Sequence, residues 1–416
     1  MSRKKCTPAA FPAPTNLTAF RCAERLWKDR ARPLDLSLAF DPQHISWDAA
    51  RLEGRTRGIW RAGDGTEEVV WRVTMGDLAA AGIGQSRWKG KGREDDNNDY
   101  AIVIPRVPGL VFFPRILPEH VQRALVAETL QHARSPNLTQ LDKLYDLPRE
   151  GLWGAWAAGK GDEVVPRAVE EQEGATGSTG PSSGSQMCAA GPASIGRERD
   201  GVKSARETVT VRELLPKLRW ANVGFHYNWT TKVYEFERGC VPLPPLIHRC
   251  CRDLARQTPW DRIFGDSKTP SRSHDCSTWA RDYEPDAGLV NFYQLKDSLT
   301  SHVDQAEVDA VSPLVSFSLG HSSIFLVGGT SRDVPPLAIL LRSGDGLCLA
   351  GEGRRVYHGL PRVLEDSLPD YLLASHSDSA FEADDWRLFG EYLERGARIN
   401  VNRRDLRGRL LKNPNF

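Results

Sequence analysis

The chain has 416 residues, and its 55 lysines and arginines nearly balance its 54 aspartates and glutamates, which gives a formal net charge of +1. Hydrophobic residues make up 40% and charged residues 26%, a composition typical of globular proteins that excludes collagen, coiled coils and wholesale disorder. The neutral balance argues against a protein that coats nucleic acid by bulk charge, although it leaves room for a local basic groove.

The eight cysteines are scattered along the chain and form no CxxC pair, so a zinc ribbon is not indicated. Reduced thiols in an intracellular protein are favoured over a disulfide framework. The apolar runs fall far short of the ~18 residues that a membrane span needs, so no membrane partner is expected. The stretch Met1–Ala23 has four basic residues and no acid, which fits a transit peptide only weakly.

The N-terminal part of the chain contains one strand signal and one helix signal. The run Gly109–Phe113 predicts the start of a strand. Pro118 is expected to open a helix, because the apolar residues after it fall on one helical face. The polar stretch Lys89–Asn98 is predicted to be an exposed loop. Helices are thus expected first, followed by a β-rich half.

Residues 157–219 contain no Phe, Trp or Tyr, whereas about five would be expected from the composition of the chain. The middle of this stretch, Gly174–Gly196, consists almost entirely of Gly, Ser, Ala, Thr and Pro. Such a segment buries too little apolar surface to offset the entropy of ordering it. Residues 157–207 are therefore predicted to be a disordered, low-complexity insertion.

From Gly288 onward, short β-rich runs alternate with turns of Gly, Pro, Asp and Ser. Several short strands at this spacing indicate a sandwich or a barrel. The predicted strands are Leu289–Leu295, Val315–Leu319, Ser323–Val327, Leu337–Leu341 and Leu347–Ala350. A helix over Asp385–Arg395 and a last strand over Ala397–Arg404 are predicted to follow them.

His302 and Asp304 are two residues apart, so on a strand both side chains would point to the same face. Taken alone this spacing is common, and a surface pair is the simpler interpretation. His358 follows after about four predicted strands, enough chain to return across a barrel. Alone it could equally be an ordinary core histidine. Together, two histidines and a carboxylate that leave open coordination positions match the facial triad of non-haem Fe(II) oxygenases.

The last predicted strand has one face that is entirely polar, made of alternate residues. These are Arg398, Asn400, Asn402 and Arg404. Such a face lies either on the surface or along a binding site. Because guanidinium groups pair with carboxylates through two parallel hydrogen bonds, this face suits a dicarboxylate. Asn291 and Tyr293 share one face of an earlier strand and could donate hydrogen bonds to the same acid.

Together these motifs resemble one family. The AlkB family of Fe(II)- and 2-oxoglutarate-dependent dioxygenases is similar in the runs NFYQLKDSLTSHVD, PLVSFSLGHSSIFLVGG, RSGD, YHG and RINVNRR. The AlkB homologue 1 type is indicated by the runs LRWANVGFHYNWTTKVYEF and TAFRCAERLWKDR. The resemblance covers most of the chain outside 157–207 and 89–98, and it is clearest from Leu218 to Arg404.

The resemblance implies an α+β fold: a double-stranded β-helix, or jelly-roll, core with N-terminal helices and a nucleotide-recognition lid. Residues 1–156 would form an N-terminal helical extension and the start of the catalytic domain. Residues 208–416 would form the AlkB-like dioxygenase core, with the lid at about 218–240.

The resemblance also implies a set of site residues. His302, Asp304 and His358 match the iron ligands of the family and are thus its catalytic residues. The residues that match the family's 2-oxoglutarate contacts are Asn291, Tyr293, Arg398, Asn400 and Arg404. The family consumes 2-oxoglutarate and O2 and hydroxylates an N-methyl group, which releases formaldehyde, succinate and CO2. Iron supplies the oxidising power, while the protein supplies orientation and a protected site.

Aromatic residues cluster just before the predicted core, where the family has a lid that covers a flipped base. Stacking on such a base contributes ~1–3 kcal/mol for each aromatic ring, although a plain aromatic core patch is the alternative. Substrate contacts are predicted for Trp220, Phe225, Tyr227 and Arg332. Arg332 matches a family arginine near the substrate strand, and its alternative role is that of a solvated turn residue.

Two positions depart from the bacterial repair members of the family. Ala306 stands where those members carry an aspartate that helps to read the damaged base, and Leu349 replaces an aromatic residue. A base preference different from that of bacterial alkylation repair is therefore expected.

The leading hypothesis is demethylation of nucleic acid, either of N6-methyladenine in DNA or of N1-methyladenine and 5-methylcytosine in tRNA. One alternative is a histone demethylase. Another is an abasic-site DNA lyase, which would need a nucleophilic amine rather than iron. A catalytically silent nucleic-acid-binding protein is disfavoured by the complete set of ligands. The protein is expected to be a monomer in the nucleus, the mitochondrion or both, with the cytoplasm as a further option.

Overall fold

The computed structural model describes residues 17–52, 54–76, 78, 99–168, 208–228, 233–264, 276–304, 310–376 and 383–406. The predicted loop Lys89–Asn98 lies outside these described residues, as do residues 169–207 of the predicted insertion. Trp229, Ala306 and the tail from Arg407 onward also lie outside them.

The strands of the described residues are mostly short and pair antiparallel with their sheet neighbours. They are β1 Ile45–Leu52, β2 Arg55–Arg61, β3 Glu67–Thr74, β4 Tyr100–Val103, β5 Leu110–Phe113, β6 Val164–Val165, β7 Val209–Thr210, β8 Trp220–Gly224, β9 Tyr227–Asn228, β10 Val233–Tyr234, β11 Ala287–Tyr293, β12 Leu299–His302, β13 Leu314–Gly320, β14 Ser323–Val327, β15 Leu337–Leu341, β16 Gly346–Leu349, β17 His358–Val363 and β18 Arg398–Arg404.

The helices of the described residues lie before, between and after these strands. They are α1 Ala19–Lys28, α2 Glu119–His132, α3 Gly151–Ala157, α4 Val211–Leu214, α5 Pro245–Gln257, α6 Trp260–Phe264, α7 Trp279–Asp282 and α8 Ala383–Glu394. Within the described ranges, none of them combines the length and the apolar character that crossing a bilayer would require.

Two antiparallel sheets form the core. The large sheet has ten strands in the order β1-β2-β3-β4-β5-β16-β13-β18-β11-β8, and the small sheet has four in the order β12-β17-β14-β15. An apolar layer joins them: Phe112 and Leu347 of the large sheet share a buried cluster with Leu337 and Ile339 of the small one. Two sheets packed face to face in this way are the sandwich that the predicted jelly-roll core requires.

The other face of the large sheet is covered by helices. Val290 of β11 and Val401 of β18 are fully buried in one cluster with residues of α2, α5 and α8. Because successive side chains of a strand alternate between faces, the residues between them point into the sandwich. Apart from Arg403, β18 therefore turns apolar side chains toward the helices, and its Arg398, Asn400, Asn402 and Arg404 point toward the small sheet, as do Asn291 and Tyr293 of β11.

Helix α1 covers the outer face of the small sheet. Its Phe20 and Trp27 pack in a buried cluster with Ile324 and Leu326 of β14. The helix begins after Thr18, whose side chain accepts a hydrogen bond from the backbone N–H of Arg21.

Several elements predicted from the sequence are present with similar bounds. β14 and β15 span the predicted Ser323–Val327 and Leu337–Leu341, and α8 and β18 differ from prediction by one or two residues at their ends. The helix after Pro118 is also present as α2, with Pro118 as its N-cap residue. These elements carry strong periodicity, which is why their bounds were predictable.

The expected order of helices first and strands second is wrong. After α1, the N-terminal region contributes β1 to β5, which form half of the large sheet. The reason is visible in β3, where Glu68 and Val70 are buried while Glu67 and Val69 are exposed. This region follows the two-residue period of a half-buried strand rather than the 3.6-residue period of a helix.

The predicted start of the insertion at residue 157 also differs from the structure. Residues 157–168 include β6, which pairs with β7 on the far side of the predicted insertion. Arg167 forms an isolated bridge with Tyr145, and Val165 is buried. A strand of two residues is too short to be recognised from composition. The lack of aromatic residues therefore made residues 157–168 resemble the rest of the predicted insertion.

Candidate metal centre

His302, Asp304 and His358 meet between the two sheets. Asp304 Oδ1 lies 3.6 Å from His302 Nε2 and 4.0 Å from His358 Nε2, and the two imidazole centroids are 4.5 Å apart. In the described part of the chain these three residues form a group whose ligand atoms all lie within 4.8 Å of one another. Two imidazoles and one carboxylate this close can face a single ion.

Both imidazole rings are oriented by backbone carbonyls. His302 Nδ1 lies 3.0 Å from the carbonyl oxygen of Thr300, and His358 Nδ1 lies 3.2 Å from that of Val356. A carbonyl accepts hydrogen bonds only, so each Nδ1 carries the proton and each Nε2 presents a lone pair. This is the tautomer that a metal ligand needs, and its source is the local backbone.

The protonation states also fit a metal site. Burial, together with the neighbouring His302, lowers the pKa of His358 to about 4, so that its imidazole is neutral at pH 7. Burial alone would raise the pKa of Asp304, but His358, Arg404 and His302 together outweigh it and hold this pKa below its ordinary value. The centre therefore offers the neutral imidazole of His358 and the carboxylate of Asp304, next to the imidazole of His302.

The sequence predicted that His302 and Asp304 point to the same face of one strand, but only His302 lies on a strand. β12 ends at His302, and Asp304 lies beyond it rather than on the strand. The pairing of β12 with β17 shifts register between Leu299 and His302, which marks a β-bulge. β17 then begins at His358, which pairs directly with His302. The ladder therefore brings the two histidines together.

A basic cradle lies on the large sheet. β18 pairs with β11 so that Arg398 stands opposite Tyr293 and Asn400 opposite Asn291. The guanidinium carbon of Arg398 lies 5.3 Å above the Tyr293 ring, and Asn291 Nδ2 lies 3.5 Å from Asn400 Oδ1. The sequence predicted that Arg398 and Asn400 share a face of one strand and that Asn291 and Tyr293 share a face of another, and the register sets these two pairs opposite each other.

Within the described ranges of the chain, no carboxylate pairs with Arg398 of the cradle. Its side chain is 1% exposed, and it donates one hydrogen bond, from Nη2 to Ser318 Oγ at 2.9 Å. Its Nε and Nη1 atoms are buried without a partner. Burial lowers the pKa of Arg398 to about 10, so the group remains a cation at pH 7. A buried cation with free donors fits a carboxylate ligand.

Two serines of β13 complete the cradle and were missed in the sequence. Ser318 accepts the hydrogen bond from Arg398, and Ser316 Oγ accepts one from Asn400 Nδ2 at 2.7 Å. The signal was present, because Val315, Ser316, Phe317 and Ser318 alternate apolar and polar residues along a predicted strand.

Arg404 connects the metal centre to a small hairpin. It donates a hydrogen bond to the hydroxyl of Tyr234 and lies near Asp304. Burial alone would lower the pKa of Arg404, but Tyr234 and Asp304 outweigh it and hold this pKa above its ordinary value. Tyr234 belongs to β10, which pairs with β9, and the sequence prediction had passed over it.

Two of the three predicted substrate aromatics, Tyr227 and Phe225, lie on or beside this hairpin. Tyr227 packs against Tyr234 with ring centroids 5.2 Å apart, and Phe225 meets Phe236 edge-on at 5.1 Å. Burial raises the pKa of Tyr227, which also lies near Arg404 and Asp304. Trp220 stands further down the sheet, on β8, where it pairs in register with Asn291.

Arg332 lies beside the strand that carries the first metal ligand. Its Nη2 donates a hydrogen bond to the carbonyl of Ser301 at 3.2 Å, and its guanidinium carbon lies 4.8 Å above the Tyr357 ring. Both neighbours directly precede a histidine of the candidate metal centre. Arg332 is partly buried in a turn and its Nε atom is buried, so its side chain is held by the protein, and its contact with substrate stays a prediction.

Comparison with known proteins places this geometry in a family. The family described as the 2OG-Fe(II) oxygenase superfamily matches residues 181–404, more than half of the chain. That span contains the His302–Asp304–His358 group and the cradle of β11 and β18. The name of the family implies Fe(II), 2-oxoglutarate and O2, for which the donors described above are suited.

Three curated relatives agree with the family match. The nucleic acid dioxygenase ALKBH1 of Mus musculus is 28% identical over 81% of this chain and 72% of its own length. The tRNA demethylase abh1 of Schizosaccharomyces pombe is 26% identical over 65% of this chain and 74% of its own length. The DNA N(6)-methyladenine demethylase ALKBH1A of Arabidopsis thaliana is 31% identical over 49% of this chain and 53% of its own length. The chain therefore belongs to the 2OG-Fe(II) oxygenase superfamily, and it is similar to members of the AlkB homologue 1 type within it.

Proposed function

We propose that the protein is an Fe(II)- and 2-oxoglutarate-dependent dioxygenase that oxidatively demethylates methylated bases in nucleic acid. The observation that carries the proposal is the pairing of two sites. A His302–Asp304–His358 group suited to iron ends the strands β12 and β17 of the small sheet. Arg398, with two buried donor atoms that have no partner in the described residues, lies over Tyr293, which packs against Leu299 of β12 and Leu360 of β17.

The bound iron and its cosubstrate would activate O2 to hydroxylate a methyl group, which yields succinate and CO2 and, for an N-methyl base, formaldehyde. His302 and His358 would hold the metal through Nε2, because their Nδ1 protons are committed to Thr300 and Val356. Asp304 would supply the negative charge of the ligand set. These residues bind and orient, while the oxidising power comes from the metal.

The cradle would fix one end of 2-oxoglutarate. Arg398 would pair its free donors with the carboxylate remote from the metal, supported by Ser318 and by the Tyr293 ring. Charge-assisted bonds of this kind are the strong ones, because both partners are charged and water is excluded. Arg404, near Asp304, would neutralise negative charge next to the metal.

The hairpin of β9 and β10 would serve as the lid over the base. Tyr227 and Tyr234 present aromatic surface beside Asp304 and Arg404, where a base extruded from its strand could stack. Three relatives whose names refer to nucleic acid, tRNA and DNA support a nucleic-acid substrate. The name of the Arabidopsis thaliana relative favours N6-methyladenine in DNA as a candidate base. N1-methyladenine and 5-methylcytosine in tRNA are candidates from the sequence resemblance.

The test is incubation of the full chain with Fe(II), 2-oxoglutarate, total tRNA and genomic DNA, followed by nucleoside mass spectrometry. We expect the loss of one or more methylated nucleosides together with succinate formation. The Asp304→Ala variant should form no succinate, yet should keep its nucleic-acid affinity within about threefold, because phosphate contacts dominate that affinity. Unchanged succinate formation in this variant would contradict the iron assignment.

The same experiment separates the alternatives. Demethylation of histone peptides in place of nucleic acid would favour the protein demethylase. Strand nicking at abasic sites that survives EDTA would favour the lyase, since that chemistry uses an amine and not iron. Fractionation of cells that express a tagged chain would test the proposed nuclear or mitochondrial location.

A further inference from the structure

We propose that Glu24, on helix α1, is a positioning residue for the metal centre, because its carboxylate holds the β-bulge that orients His302. The inference rests on the proposed function in one respect, namely that His302 binds the metal. It assigns a task in metal binding to a helix that lies on the outer face of the small sheet.

The bulge lies on β12, an edge strand of the small sheet. Leu299 pairs with Leu360 and His302 pairs with His358, so the two residues between them fall out of the regular ladder. These are Thr300 and Ser301. A residue inside a bulge loses its ladder partners, so its backbone groups need others.

The first of these residues orients the metal ligand directly. The carbonyl of Thr300 lies 3.0 Å from His302 Nδ1, which fixes both the tautomer and the plane of the ring. A rotation of the peptide between Thr300 and Ser301 would move this carbonyl. The orientation of His302 therefore depends on what holds the backbone of Ser301.

Glu24 holds the N–H of that peptide. The backbone N–H of Ser301 donates to Glu24 Oε1 at 2.6 Å, across 277 residues of sequence. Glu24 is 1% exposed, and its other oxygen accepts a hydrogen bond from Arg21 at 2.8 Å. A buried carboxylate that accepts a backbone N–H forms a charge-assisted bond, stronger than the neutral ladder bond that the bulge removes.

Arg332 holds the other side of Ser301. It donates to the Ser301 carbonyl at 3.2 Å, and its own carbonyl accepts the backbone N–H of Phe20 at 2.9 Å. The N–H of Ser301 is thus held by Glu24 and its C=O by Arg332, and both holders are connected to α1. Phe20 and Trp27 seat this helix on the sheet.

Loss of the Glu24 carboxylate would leave the Ser301 N–H buried without an acceptor, which costs more than the bond alone contributes. The peptide would then turn toward another partner, and the Thr300 carbonyl would turn with it. Removing a partner that orients a metal ligand typically weakens metal affinity 10–100-fold.

The test measures Mn(II) affinity of the full chain by the electron paramagnetic resonance signal of free Mn(II), which requires no turnover. We expect Glu24→Ala to weaken binding about 10-fold or more. Glu24→Gln keeps an acceptor oxygen for Ser301, so we expect it to restore affinity to within about fivefold of the unsubstituted chain.

Trp27→Phe is the matched control, because Trp27 lies on the same helix and is buried in the apolar cluster with Ile324 and Leu326, while the hydrogen bond to the Ser301 N–H comes from Glu24. It should lower the melting temperature while Mn(II) affinity stays within about twofold. An unchanged Mn(II) affinity in Glu24→Ala would overturn the inference. Equal losses of Mn(II) affinity in Trp27→Phe and Glu24→Ala would also overturn it, because they would show that Glu24 acts only by holding helix α1 on the sheet. An unsubstituted chain that binds no Mn(II) would overturn the metal assignment itself, and the inference with it.

Discussion

Arg398 carries a positive charge into the sandwich, and in the described residues no carboxylate pairs with it. Of its three nitrogens one bonds Ser318 Oγ, and the other two are buried without a partner. A buried charge without a counter-ion is costly, and replacing it with an apolar side chain of similar volume often stabilises the fold. A residue that costs stability in the empty chain is best explained by what it binds.

We therefore expect Arg398→Met to leave the melting temperature of the ligand-free chain unchanged or higher. The same variant should lose the increase in melting temperature that 2-oxoglutarate with Mn(II) gives to the unsubstituted chain, because a charged hydrogen bond contributes about 1.5–3 kcal/mol to binding. Differential scanning fluorimetry with and without 2-oxoglutarate measures both effects.

Arg403→Met is the matched control. Arg403 is also fully buried and incompletely paired, but it lies on the opposite face of β18, under the helices. The 2-oxoglutarate shift should survive in it. A lost shift in both variants, or a retained shift in Arg398→Met, would argue against Arg398 as the carboxylate partner.

At the scale of elements, the metal centre depends on how closely β17 approaches the bulge of β12. A Cβ atom on Gly359 would lie 3.0 Å from the carbonyl oxygen of Leu299 and 3.1 Å from the backbone nitrogen of Ser301. Both neighbours are backbone atoms, which cannot rotate away as side chains do. Gly359 therefore allows the ladder to place His358 against His302.

We expect Gly359→Ala to weaken Mn(II) binding about 10-fold, because the bulge must shift by a few tenths of an ångström beneath His302. Titration of Mn(II) followed by the signal of the free ion measures this. Gly346→Ala is the control, since a Cβ there would meet side-chain atoms of Ile116, Leu254 and Phe113 at 3.2–3.4 Å. Equal affinity losses in the two variants would indicate general strain rather than a role of the bulge.

The sequence was sufficient to predict elements whose signal is local. β14 and β15 are continuous apolar runs bounded by turns, and β18 alternates Arg and Asn with Ile and Val, so period and composition agree. β1 to β3 also alternate, but Arg, Glu and Asp on the exposed positions obscured the strand character. Their membership of the large sheet depends on pairing with β4 and β5, which no local pattern reports.

Some residues of the candidate site were likewise predictable from local sequence, and others were not. The metal triad was predictable, because His302, Asp304 and His358 stand in recognisable motifs. Glu24 was not predictable, since its contact with Ser301 joins residues 277 positions apart in a bulge that only the folded sheet creates. Residues that bind a ligand leave patterns in sequence, whereas residues that hold a backbone in place are recognised only from contacts.

At the scale of the whole molecule, the net charge of +1 conceals a local concentration of cations. β18 alone carries Arg398, Arg403 and Arg404, all of them buried. Two of these face the proposed cosubstrate and metal, and the third lies beneath the helices. The arginines of β18 thus lie in the interior of the protein and not on its surface. Neither the net charge nor the number of arginines therefore indicates where nucleic acid would bind.

The predicted insertion can also be tested on the whole chain, because the fold closes around its ends. Val164 pairs with Thr210 and Val165 with Val209, and the N–H of Val211 donates to the Glu163 carbonyl at 3.0 Å. The chain therefore leaves and re-enters the fold at one place.

Deleting residues 174–196 roughly halves the length of chain that connects Val165 to Val209. By loop-closure entropy this changes the free energy of unfolding by only about 0.6 kcal/mol. We expect the deletion to shift the melting temperature by less than about 3 °C, whereas Val165→Asp, which buries a charge in the ladder itself, should lower it well beyond that. A large loss of stability on deletion would show that the segment packs against the fold and would contradict the prediction of disorder.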